Sequence, residues 1–561
     1  MSSERVQFEP VAGAAELFTL EFVKYLLNLH DQFSPRIQEL REKRAVVLTQ
    51  ALEHGKLPAQ LPSSVANTGA WKAPTVPEDL KLPGIEISGP ASITGMFINA
   101  LNPGPDGTRA EGDLDDDEDS AGHRFQDTVQ AAWNRKGAVD RTLTYYDSQK
   151  NKEYKLAEGE IPFFMHRERG LHLDEPSVSV DGEPISASIL GTALTLFHAG
   201  QSHTNRGQGI YFYLPKMESA EEAGFWRDFF DASRGQVAAL KNATIRAIAL
   251  IESLPAAYQM EEILHSLGPY GAGLNAARWD FKASILEYVM ADPASVWPDR
   301  FGVDIKTTDF LSNIFRRLVA ICLKRGAVPI GGMATALPSR DTEVNRIVGE
   351  SIRADKEWEA QQGFLRGWVA HIFHMKAAAD PFKELRASGW EPSPEMFLPE
   401  NYPVEVRAPE GPITIDGTRR NARTLIEYLE GWLQGRGAKG IDSLHGRPGL
   451  HPALMEDLAT ARISVAQIAQ RVLHAARDVE TDQQHDFPLV KRLLGEELES
   501  ILEAARPGAG ATGQSQLVSR YRDAYKISLK WIKNYVKFNF RSLGSYTRKD
   551  LSVIAAEDDA F

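Results

Sequence analysis

Between about residues 88 and 385, short apolar runs alternate with longer helix-patterned stretches. No other property of the chain constrains its fold as strongly. The runs include Met96-Phe-Ile-Asn-Ala100, Ile161-Pro-Phe-Phe-Met165, Gly209-Ile-Tyr-Phe-Tyr-Leu-Pro215, Thr244 to Ile251, Val328-Pro-Ile-Gly-Gly332 and Trp368-Val-Ala370. Ile185–His198, Glu221–Ala232 and Val344–Gln361 lie between them with helical spacing. Strands that alternate with helices specify βαβ units around a parallel sheet, so the expected fold class is α/β. The span is close to the ~250 residues of an eightfold barrel. Eight clean repeats are not visible, and the pattern alone is equally compatible with a doubly wound sheet.

Both flanks read as helical. Leu17, Leu20, Phe22, Val23, Leu26, Leu27 and Leu29 predict a helix over residues 14–30. A second is expected to start with Ser34 as N-cap and Pro35 in its first turn, and to stop near Gly55. Prolines at 58, 62, 74, 77 and 83 then mark a linker. Beyond residue 420, helices are expected over 422–432, 454–477, 489–505 and 517–538, with Pro507–Gly513 as a flexible connector. The expected domains are 1–87, a helical clasp and linker; 88–385, the α/β unit; and 386–561, a helical unit.

The 561 residues carry 63 Lys and Arg against 76 Asp and Glu, a formal charge of −13. That balance argues against nonspecific nucleic-acid or anionic-membrane binding, which needs a basic face. Cys322 is the only cysteine, which excludes an intrachain disulfide or a thiolate cluster. Ile321 and Leu323 flank it, as expected of a buried structural thiol. The charged start has no secretory core, no run approaches the ~20 apolar residues of a membrane helix, and Glu557–Phe561 is not a Ser-Lys-Leu address. A cytoplasmic protein is the expectation. Oligomeric state is not legible.

In parallel α/β folds, reactive side chains sit at the carboxyl ends of strands. Arg167 follows one apolar run, Glu252 another, and Asp280 the segment Gly273-Leu-Asn-Ala-Ala-Arg-Trp279. Glu252 and Asp280 are about one βα unit apart. Two such carboxylates can converge on a hard cation such as Mg²⁺; on spacing alone, helix-cap or salt-bridge acids are the commoner reading. Glu456 and Asp457 read as acids in the first turn of a helix. His371 and His374 have the spacing of a helical ligand pair, but no third ligand is evident.

The run Gly273-Leu-Asn-Ala-Ala-Arg-Trp-Asp-Phe281 resembles the signature of the malate synthases, in their shorter A-type form. Other family-like segments follow in order over roughly residues 90–470: Arg167–Leu173, Val180–Pro184, Tyr211–Ser219, Ile251–Pro255, Gly331–Ala334, Trp368–His371 and Leu454–Asp457. The resemblance implies a (β/α)₈ TIM barrel with an N-terminal helical clasp and a C-terminal helical plug. It implies Mg²⁺ on Glu252 and Asp280, acetyl-CoA as co-substrate and glyoxylate as acceptor. Asp457 would be the base and Arg167 the cation that stabilises the enolate. The substrates would meet Trp279, Leu274, Gly331 and Met333, with Lys216 and Glu218 in support. Closure of the plug over the barrel would complete the site.

The chain departs from the family pattern in several places. After Ile98-Asn-Ala-Leu-Asn102, an Asp-Phe-Glu-Asp-type motif is usual; here the acidic run Glu111–Asp119 follows. Asp113, Asp115 and Asp116 are expected to occupy the motif, with Asp115 in place of its Glu, unless the run is a solvated loop. Ala277, Phe281 and Leu171 stand where Gly, Tyr and Trp are usual. Ile372–Met375 and Arg447–Pro452 replace the usual flanks of the coenzyme and base segments, including a cysteine. These changes leave two other readings open. One is the same condensation with another acyl-CoA or 2-keto acid; the other is a lapsed, ligand-binding homologue.

Overall fold

A computed structural model describes residues 2–442, 444, 453–505 and 511–540. The expected changes at Arg447–Pro452, most of the Pro507–Gly513 connector and the C-terminal Glu557–Phe561 lie outside these residues. The chain forms two compact units. The first comprises Met1–Val46, Pro58–Arg278 and Asn313–Val404, and the second Val47–Leu57, Trp279–Ser312 and Glu405–Phe561.

The first unit is built on eight parallel strands: β1 Gly84–Gly89, β2 Gly112–Asp116, β3 Phe163–Arg167, β4 Ile210–Leu214, β5 Ile245–Ile251, β6 Gly271–Ala276, β7 Val328–Ala334 and β8 Arg366–Val369. Each pairs with the next, and β8 pairs with β1 through Arg366↔Gly84, which closes the barrel. Closure decides between the two α/β architectures that the sequence left open. The apolar run Met96–Ala100 is not a strand but part of the helix Thr94–Leu101, whose Phe97, Ile98 and Leu101 are buried. The strand of that repeat is β2, hidden within the acidic run.

Alternation along each strand sorts its side chains between the barrel interior and the surrounding helices. Leu114, Phe163, Met165, Tyr213, Leu250 and Trp368 face inward as one apolar cluster. Glu86 is buried among them. Its carboxylate accepts from Arg366 Nε (2.9 Å), Tyr213 Oη (2.6 Å) and Trp368 Nε1 (3.0 Å), so the interior charge is compensated.

The N-terminal helix is a single element, Leu20–His54, with Pro35 inside it. An interior proline costs roughly 3 kcal/mol or more. Here it falls on the exposed face, while Phe22, Leu26, Leu29, Phe33 and Ile37 are buried on the opposite one, and that packing holds the helix together. The first residues are not wholly helical either: Val6–Phe8 pairs antiparallel with Asp174–Val180.

The second unit contains the helices Ile415–Leu433, Leu458–Leu473, Phe487–Ala505 and Ala511–Val536. Leu454–Glu456, expected within a helix, is instead a short strand paired with Lys439–Ile441. Among the described residues, no helix is long and apolar enough to cross a membrane.

Candidate active site

The barrel delivers charged residues to the carboxyl ends of its strands, because each occupies an inward-facing position one or two residues beyond the apolar ones. Arg167 ends β3 with the parity of Met165, and Asp116 ends β2 with the parity of Leu114. The Arg167 guanidinium grips Asp116 with two parallel bonds, Nε to Oδ1 (2.7 Å) and Nη2 to Oδ2 (2.6 Å). Nη2 also donates to Asp119 Oδ2 (2.9 Å), and the cation lies 5.7 Å from the centre of the Trp368 ring. Burial by itself would lower the pKa of this arginine; the carboxylates of Asp116 and Asp119 outweigh it and raise the pKa well above the usual value. Burial likewise opposes ionisation of Asp116, but Arg167 and the Ser120 hydroxyl hold its carboxyl down at about 2.

After β2 the chain folds back over its own end. The Asp116 carboxylate accepts from the backbone N–H of Glu118, Asp119 and Ser120. The turn buries Asp117, Glu118 and Asp119 together. Burial pushes the carboxyls of Asp117 and Glu118 up to about 8. Glu118 accepts from the Gly170 N–H (2.7 Å), which ties this turn to the one after β3.

Glu252 follows β5, and the backbone N–H of Lys216, two residues beyond β4, donates to its Oε1. The Lys216 ammonium reaches Asp119 (3.1 and 3.2 Å) and stands 3.7 Å from Glu252 Oε2. Asp280 lies in the first turn of the helix Arg278–Tyr288, which follows β6 in the chain. Its Oδ1 accepts from Arg462 (3.0 Å). Asp119 and Glu252, both buried, each present a carboxylate oxygen, and these atoms lie within 4.8 Å of one another. An all-oxygen set of this kind can hold a hard divalent cation.

The structure brings Arg167, Asp116, Lys216 and Glu252 together, but it does not bring Asp113 or Asp115 to them. Both occupy outward positions on β2. Asp115 meets Arg135 Nε (2.7 Å) and His166 Nδ1 (2.6 Å) on the helix side, and Asp113 is buried with Oδ2 lacking a hydrogen-bond partner. The period of two along a strand puts odd and even residues on opposite faces, so the three acids cannot share one site. Sequence reasoning missed Glu118 and Asp119. Its own signal was present, since Asp116-Asp117-Glu118-Asp119 matches the Asp-x-Glu-Asp spacing directly, three residues beyond the chosen start.

The remaining candidates are scattered. Leu274 is fully buried within β6, and Trp279 is half-buried with the Lys282 ammonium 4.4 Å from its ring centre. Met333 packs against the barrel core. Gly331 and Gly332 stand beside a buried ion network: Gly332 N–H donates to Glu359 Oε1 (2.9 Å), Lys356 Nζ to the Gly332 carbonyl, and Arg278 pairs with Glu359. A Cβ on Gly331 would lie 2.4 Å from Glu359 Oε2, which gives these glycines a packing reason. Glu218 uses its backbone N–H on Glu222 (2.7 Å), and its carboxylate is 3.8 Å from Arg44. Asp457 is the N-cap of the helix Leu458–Leu473, with Oδ1 accepting from Thr460 N–H (3.1 Å). His371 caps a short turn by accepting from Phe373 N–H (3.2 Å). Cys322 is buried, which raises its thiol pKa.

A closed parallel barrel whose strand ends converge on buried carboxylates and a fixed guanidinium defines an enzyme of the (β/α)₈-barrel class. Comparison with known proteins identifies the family. The malate synthase TIM-barrel domain model matches residues 163–389, and the malate synthase C-terminal model matches residues 412–542. The malate synthase of Streptomyces clavuligerus is 34% identical over 545 residues, covering 95% of this chain and 96% of that one. Malate synthase of Myxococcus xanthus is 34% identical over 506 residues, covering 89% and 88%. Malate synthase A of Escherichia coli is 34% identical over 491 residues, covering 87% and 88%. The chain belongs to the malate synthase family and is an enzyme of its acyltransferase class.

Proposed function

We propose that this protein condenses acetyl-CoA with glyoxylate and hydrolyses the resulting thioester to malate and CoA, as a cytoplasmic Mg²⁺ enzyme. The observation that carries the reading is the fixed Arg167 guanidinium beside the buried carboxylates Asp119 and Glu252, in a chain of this family; in this reading Asp280 is a further Mg²⁺ ligand. The donor set fits Mg²⁺, which takes oxygen ligands and commonly one or two carboxylates. Bound there, Mg²⁺ would supply Lewis-acid polarisation of the glyoxylate carbonyl.

The chain's own residues account for the rest. A thioester methyl group is weakly acidic, so a carboxylate can remove its proton only if the enolate oxygen is stabilised as charge develops. In this reading Asp457 takes that proton, and Arg167 donates to the oxygen. Asp116 and Asp119 hold Arg167 in place beforehand, so no reorganisation is needed at the moment of reaction, an arrangement worth several kcal/mol. The enolate carbon then bonds to the aldehyde carbon of glyoxylate. Water cleaves the malyl thioester, and the CoA thiol leaves.

The test is release of free thiol from acetyl-CoA on mixing protein, glyoxylate and MgCl₂. Propionyl-CoA and pyruvate serve as the alternative substrates. No thiol above background from folded protein with the standard pair would overturn the reading. Faster release with either alternative would move the specificity but keep the chemistry.

A further inference from the structure

The long N-terminal helix contributes a side chain to the barrel end that nothing in the proposed reaction uses. Arg44 of Leu20–His54 spans the loop after β4. Its Nε donates to Glu222 Oε1 (2.6 Å), and Nη2 donates both to Glu222 Oε2 (2.8 Å) and to the backbone carbonyl of Lys216 (2.8 Å). The arginine side chain is 14% exposed and Glu222 only 1%. Glu222 Oε2 also accepts from the Glu218 N–H (2.7 Å), so the segment 216–222 is pinned at both ends.

Lys216 itself has φ of 51°, in the left-handed region that side chains other than glycine, asparagine and aspartate rarely enter. Such conformations persist only where the surroundings over-determine them, and they cluster at functional sites. The local consequence is specific. In this conformation the Lys216 N–H points at Glu252, its side chain carries the ammonium to Asp119, and its carbonyl turns away to meet Arg44. One residue therefore links two site carboxylates to the N-terminal helix.

We infer that Arg44 is a positioning residue for the metal site. By clamping the Lys216 carbonyl against Glu222, it holds Lys216 in the left-handed conformation that sets the Glu252 and Asp119 carboxylates. Arg44 touches neither substrate nor cation. The inference rests on the proposed Mg²⁺ site, and its test separates the two.

The experiment is calorimetric titration of the full chain with MgCl₂ alone, for the unaltered protein, Arg44→Gln and Arg44→Lys, with thermal unfolding as the folding control. Simple electrostatics and positioning predict opposite signs. Removing a nearby positive charge should tighten binding of a cation, whereas loss of positioning should weaken it. Arg44→Gln is expected to weaken Mg²⁺ binding about tenfold, and to raise the KM for glyoxylate more than it lowers kcat. Arg44→Lys keeps the charge but cannot bridge the Lys216 carbonyl and both Glu222 oxygens, so it is expected not to restore affinity. Unchanged or tighter binding in folded Arg44→Gln overturns the inference, as does full rescue by lysine. If Arg44→Gln does not fold, Arg44→Lys carries the test alone: with the charge kept, electrostatics predicts unchanged Mg²⁺ affinity, so weaker binding in the folded variant supports the clamp and unchanged binding overturns it. Failure of the unaltered protein to bind Mg²⁺ would instead overturn the proposed metal site.

Discussion

Arg462 donates to Asp280 Oδ1 at 3.0 Å, from a position five residues after Asp457 on the helix that Asp457 caps. The same guanidinium grips Glu287 through Nε (2.8 Å) and Nη2, and Glu287 also accepts from the Tyr535 hydroxyl (2.9 Å). Arg462→Met would remove the cation that the buried Asp280 and Glu287 share. Such a loss typically costs about 3–5 kcal/mol. Urea unfolding should show it, and a change under 1 kcal/mol would mean the pair contributes little.

Asp457→Asn keeps the size and the cap but removes the basic oxygen. A positioned base contributes about 10²–10⁴-fold. Thiol release should fall by that factor while Mg²⁺ binding, read calorimetrically, stays as it was. Retained activity in the asparagine variant would assign proton abstraction elsewhere.

Gly331→Ala tests whether these glycines serve packing. The added methyl would meet Glu359 Oε2 at 2.4 Å, and that carboxylate is 1% exposed and held by Lys356 and Arg278. A loss of about 1–3 kcal/mol in unfolding free energy is expected. An unchanged urea midpoint would show that the network shifts without cost.

Stability should fall in mild acid, in part through His198. Burial lowers its ring to about 4, even though its Nε2–H donates to the Leu17 carbonyl at 3.0 Å. The unfolded chain takes up this proton near pH 6.5, the folded chain only near 4. The contribution is therefore complete above about pH 6.5 and is lost progressively as pH falls toward 4. Between pH 7.5 and 5.0, His198→Asn should lose about 1–2 kcal/mol less unfolding free energy than the unaltered protein. Equal acid sensitivity of the two would rule His198 out.

How far the fold was legible varied from element to element. The apolar runs at 161–165, 209–215, 244–251 and 328–332 are barrel strands because buried parallel strands read as continuous hydrophobic stretches. The strand Gly112–Asp116 broke that rule. Its acids look solvated in sequence, yet all five residues are buried, since Arg135 and Arg167, distant in the chain, neutralise Asp115 and Asp116. Pro35 misled for a similar reason. Local chemistry ends a helix there, whereas the buried face of Leu20–His54 carries it through.

The site divides along the same line. Strand-end position in the sequence was enough to nominate Arg167, Glu252 and Asp280 as candidates, whereas Asp457 was nominated only by the family resemblance. Which acids of the run 111–119 reach Arg167 and Glu252 was decided by strand parity and by the turn that folds Asp119 back over β2. The part played by Arg44 was likewise invisible in the sequence, since a guanidinium finds its carboxylate only when packing brings a remote helix to the strand ends. Periodicity records which face of an element is buried; only the closed barrel determines which charges that face encounters.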